Sequence, residues 1–67
     1  MNQFKLLDPV RLLEDIPNVG LKKGQTGTII FEFMEPNIAY EVEFSNEDGC
    51  AIAQLPLLPS QIDHLES

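Results

Sequence analysis

The sequence predicts a small, mostly β fold built around a meander of antiparallel strands. Three observations carry this. Ala39-Tyr40-Glu41-Val42-Glu43-Phe44 alternates apolar and polar residues at period two, the mark of a strand with one buried face. Thr28-Ile29-Ile30-Phe31-Glu32-Phe33-Met34 is rich in β-branched and aromatic residues, which fit a pleated, half-buried surface. Turn-forming residues, Glu35-Pro36-Asn37-Ile38 and Asn46-Glu47-Asp48-Gly49, stand between the strand segments. With 67 residues the chain has room for one domain, positions 1–67, and one core.

Pro9-Val10-Arg11-Leu12-Leu13 reads as the first strand, with Asp8-Pro9 leading into it. A short helix over Leu6 to Glu14 also scores, but Pro9 and Ile16-Pro17 argue against extending it. The stretch Pro17 to Gly27 reads as a long loop whose glycines, at 20, 24 and 27, reverse and tighten the chain. The strand Thr28 to Met34 and the strand Ala39 to Phe44 follow, joined by the turn at Glu35 to Ile38. Gly49 suits the left-handed position of the second turn. A further strand is expected from Cys50 to Leu55, stopped by Pro56. Pro59-Ser60-Gln61-Ile62 can open a short C-terminal helical turn with Pro59 at its first position, and Ile62 and Leu65 can then pack against the open end of the fold.

Pairing Met34 with Ala39 sets Phe33 against Tyr40, Phe31 against Val42 and Ile29 against Phe44, all apolar. Pairing Ser45 with Cys50 sets Phe44 against Ala51, Val42 against Ala53 and Tyr40 against Leu55. In this register the outer face carries Glu32 opposite Glu41, with Gln54 beyond, and Ile30 beside Glu43 and Ile52. An apolar centre of Ile30 and Ile52 with an acidic rim of Glu32, Glu41 and Glu43 is the candidate partner-binding surface. The competing readings are a solvated face that keeps the protein soluble, or isoleucines covered by Phe4 or Leu6 of the N-terminal segment.

Charge narrows the partners. The net charge is −7, and the four basic residues, Lys5, Arg11, Lys22 and Lys23, all precede Gly24. A nucleic acid or an anionic membrane would be repelled, and a basic protein is the natural complement. No apolar stretch approaches the length of a membrane span, and Met1 to Lys5 opens no secretory leader. The lone cysteine makes no internal disulfide, so a cytoplasmic location is expected.

No catalytic, metal-binding or cofactor constellation emerges. Cys50 has no base near it in sequence and reads as a small structural residue. His64 reads as a solvated tail residue without partner ligands. Asn46 to Gly49 lacks the spaced oxygens and distal Glu of a calcium loop, and Gly20, Gly24 and Gly27 do not spell a phosphate-binding loop. Glu41 and Glu43 sit on a flat strand without a pocket, a poor setting for acid–base catalysis. A non-enzymatic binding module is therefore expected, with a structural accessory subunit or homo-oligomer as the alternative.

Val10-Arg11-Leu12-Leu13-Glu14-Asp15, Lys22-Lys23-Gly24 and Tyr40-Glu41-Val42-Glu43-Phe44 together resemble a bacterial family, common in cyanobacteria, catalogued as domain of unknown function 4926. The resemblance spans roughly positions 5 to 62 and implies a small SH3-like barrel of four to five antiparallel strands. It transfers no activity and no site residues, but it implies an antitoxin or immunity role against a more basic protein. Lys23 to Ile29 is also similar to the turn that opens SH3-like barrels of ribosome-associated and elongation modules, whose basic RNA-binding loops this acidic chain lacks.

Overall fold

The structure, a computed structural model, describes residues 4–65. Five antiparallel strands form one open sheet in the order β4-β3-β2-β1-β5. They are β1 (Pro9–Leu12), β2 (Thr26–Phe33), β3 (Ala39–Ser45), β4 (Ala51–Leu57) and β5 (Ile62–His64). Short 3-10 turns at Pro17–Val19 and Pro59–Gln61 precede β2 and β5. The mostly β architecture and the C-terminal turn opened by Pro59 agree with the sequence reading. No helix among the described residues is long and apolar enough to cross a membrane.

The core gathers on one face of the sheet. Tyr40, Val42 and Phe44 alternate with half-buried Ala39, Glu41 and Glu43 along β3 and are wholly shielded from water. Val10 and Leu12 from β1, Ile29 from β2, Leu57 from β4 and Ile62 from β5 complete the layer, with Leu21 reaching in from the loop. Phe4 closes it. Its ring meets Tyr40 edge-on at 5.3 Å and lies 4.4 Å from His64. The N-terminal segment thus covers the inner face, and Leu6 stays exposed, so neither caps an outward isoleucine. His64 is exposed but is part of β5, resting on Phe4, and is not a free tail residue.

The register departs from the sequence reading at both hairpins, for the same reason. Ile29 pairs with Val42 but Phe31 pairs with Glu41, so β2 carries one extra residue, Ile30, in a β-bulge. Beyond the bulge Glu32 pairs with Tyr40 and Phe33 with Ala39, and the connection lengthens to Met34 through Ile38. On the other side Phe44 pairs with Ala53 and Ser45 with Ala51, which makes Ile52 the extra residue of β4. The second turn also lengthens. Asn46 Oδ1 accepts hydrogen bonds from the backbone N–H groups of Asp48 and Cys50, at 3.0 Å each, and Gly49 takes a left-handed φ of 83°. This side-chain cap organises a loop of Asn46 to Cys50 where a tighter turn was expected.

Two boundaries also differ. Gly27 is inside β2, opposite Phe44, and not in the preceding loop. A Cβ there would stand 2.7 Å from the Glu43 carbonyl oxygen and 2.9 Å from Phe44 Cδ1, so the strands approach this closely only with glycine. Pro56 does not stop β4, which runs on to Leu57. β4 is an edge strand, where a proline nitrogen can face away from the ladder.

Candidate functional site

The bulge at Ile30 decides what the outer face presents. Without it, Phe31 and Phe33 would follow Ile29 inward. With it, they follow Glu41 and Ala39 to the outer side, where Phe31 is 55% and Phe33 36% exposed. Their rings meet edge-on with centroids 4.9 Å apart. Apolar residues of the neighbouring strands extend this pair. Phe33, Ala39, Pro56 and Leu58, with Glu35, Pro36 and Asn37 of the β2–β3 connection, line a shallow open groove of about 350 Å³.

This surface is apolar at its centre and acidic at its side. Phe31 stands across from Glu41 on β3, and Glu41 in turn across from Pro56 on β4. Gln54 Nε2 donates to Glu41 Oε2 at 3.0 Å, which orients the carboxylate along the sheet. Glu43 lies between Thr28 and Gln54 in the adjacent row. No Lys or Arg occurs in β2, β3 or β4. Arg11 is at the other end of the sheet, in a solvent-exposed pair with Asp63 at 3.6 Å, and Lys22 and Lys23 belong to the loop before β2.

The surface expected from the sequence is thus rearranged. Glu41 and Glu43 do share the outer face of β3. Glu32 does not join them, because it pairs with buried Tyr40 across the bulged hairpin. Ile30 and Ile52 do not form one row with Glu43, since each is the extra residue of its own bulge. Ile30 is half-buried and Ile52 is 49% exposed. Phe31 and Phe33, assigned to the core from the sequence, supply the apolar centre instead. Pro56 and Leu58 join them because β4 does not end at Leu55.

Among the described residues no three His, Cys, Asp or Glu side chains cluster in a way that could hold a metal ion. Cys50 is exposed and free. An apolar aromatic centre with a carboxylate border has the composition of a recognition patch.

The chain belongs to the family described as Domain of unknown function (DUF4926), whose model matches residues 6–64. No curated protein and no solved structure matches it.

Proposed function

We propose that this protein is a small binding module without catalytic activity that captures a more basic protein on the outer face of its sheet. An antitoxin or immunity-type neutraliser in the bacterial cytoplasm is the form we favour. The observation that carries the reading is the outward turn of Phe31 and Phe33 by the Ile30 bulge. Burying two aromatic rings inside would have stabilised so small a domain, and their placement on the surface points to a use there. Exposed aromatic side chains, with Phe33 lining the groove, supply binding energy, and the carboxylates of Glu35, Glu41 and Glu43 favour partners carrying Lys or Arg beside an apolar anchor. The strand order, with a 3-10 turn leading into β5, supports reading the sheet as SH3-like.

The test is titration calorimetry against the product of the adjacent gene, at low and at physiological salt. Phe31→Ala or Phe33→Ala should weaken binding by roughly tenfold or more, the loss of a hot-spot side chain. Glu41→Gln with Glu43→Gln should slow association and flatten the salt dependence. Unchanged affinity in all four substitutions would remove this surface from consideration.

A further inference from the structure

β4 is an exposed edge of the sheet. Natural edge strands are kept from pairing by charge, by brevity, by cover, by proline or by bulges. β5, the other edge, is three residues long and carries Asp63 and His64. β4 is seven residues long and reads Ala-Ile-Ala-Gln-Leu-Pro-Leu, and the chain has no charged side chain from Gly49 to Ile62. In a protein of net charge −7 this is the one long strand edge without a carboxylate. Its guards are Pro56 and the bulge at Ile52.

We propose that β4 pairs antiparallel with β4 of a second copy of this chain, about a two-fold axis at Gln54. Pro56 has no N–H to give β3, so Pro56 and, two residues away, Gln54 turn their backbone groups to the open side. Gln54 then exchanges both of its backbone hydrogen bonds with the partner's Gln54. The regular pairing ends on either side of Gln54, at the Ile52 bulge and at Pro56, which has no N–H.

The side chains in this register complement themselves. Ile52, 49% exposed in the single chain, lies in the bulge beside this paired segment. On the inner face Leu55 lies against Ala53, a large residue opposite a small one. Both Leu55 and Ala53 are only half-buried in the single chain. No charged side chain occurs from Gly49 to Ile62, so no like charges meet along the paired strands. Glu41 and Glu43 of the two copies are separated by three strand spacings, about 14 Å, which exceeds the screening length of about 8 Å at physiological salt.

This pairing is independent of the capture of a basic partner, and salt separates the two. Added salt weakens attraction to a basic protein, whereas it screens the repulsion between two acidic copies and strengthens their pairing. Sedimentation equilibrium of the full chain should show a dimer that tightens as salt is raised. Gln54→Lys places two ammonium groups face to face at the axis and should return the protein to monomer with its far-UV circular dichroism unchanged. In a Cys50→Ser background, Gln54→Cys should oxidise to a covalent dimer, because directly opposed residues of a hydrogen-bonded pair have Cα atoms about 5.5 Å apart, within disulfide reach. Ser60→Cys in the same background, outside the paired strand and away from the axis, should not. A monomer at every salt and concentration overturns the proposal. So does a dimer that survives Gln54→Lys and cross-links no better through position 54 than through position 60.

Discussion

Replacing Gly27 by alanine distinguishes a close approach of strands from an ordinary strand glycine, because the two give opposite signs. Gly27 lies in extended backbone that any residue adopts. If its surroundings were open, alanine would stabilise the protein by about 0.4–1 kcal/mol through the unfolded chain. The surroundings are closed. The new methyl carbon would sit 2.7 Å from the backbone oxygen of Glu43, 2.8 Å from Val42 Cγ1 and 2.9 Å from Phe44 Cδ1. The carbonyl cannot swing aside, and Val42 and Phe44 are fully buried. Forcing extra volume into such a site costs about 1–3 kcal/mol, so the net change is a loss of roughly 1–2 kcal/mol. For a domain of this size that lowers Tm by about 4–16 °C. Thermal unfolding followed by circular dichroism, with urea titration as a second measure, reads this directly. A Tm equal to or above that of the parent protein would refute the packing of β2 on β3 described here.

The Tyr40 hydroxyl is buried and has no hydrogen-bond partner among the described residues, so Tyr40→Phe should leave stability unchanged or raise it by up to about 1–3 kcal/mol in urea unfolding. Phe44→Ala should cost about 3–5 kcal/mol and leave much of so small a domain unfolded, whereas Phe31→Ser, at a solvent-facing position, should shift the urea midpoint little. Asn46→Ala removes the acceptor for two backbone N–H groups and should destabilise by about 0.5–2 kcal/mol, with increased amide exchange at Asp48 and Cys50.

The alternation along β3 was legible because it is local. Tyr40, Val42 and Phe44 report their own burial through polar neighbours, and Gly49 reports its turn through its lack of a side chain. The two bulges were not legible. A bulge adds a residue without any compositional mark, and counting outward from a turn assumes one-to-one pairing. In Ile29-Ile30-Phe31 every residue is apolar, so no break in pattern shows where the alternation changes phase. Counting from a turn of Glu35 to Ile38, where the connection runs from Met34 to Ile38, set Glu32 against Glu41 and sent Phe31 and Phe33 to the wrong face, and the unseen bulge returned Ile29 to the right one. The run-on of β4 through Pro56 was hidden for another reason. Proline is tolerated only where a strand lies at an edge, and which strand is at the edge is a property of the whole sheet. The acidic half of the candidate surface was therefore readable, and its aromatic half was not.

The account turns on the phase change at Ile30, and proton nuclear magnetic resonance tests it without a partner or a substitution. With a soluble paramagnetic agent added, the ring protons of Phe31 and Phe33 should relax strongly, while those of Phe44 and Tyr40 should not. Cross-strand contacts should link Phe31 with Glu41 and Phe33 with Ala39. Protected rings at 31 and 33, with contacts from Phe31 to Val42 and from Ile29 to Phe44, would contradict it, and the aromatic centre of the proposed binding surface would be lost.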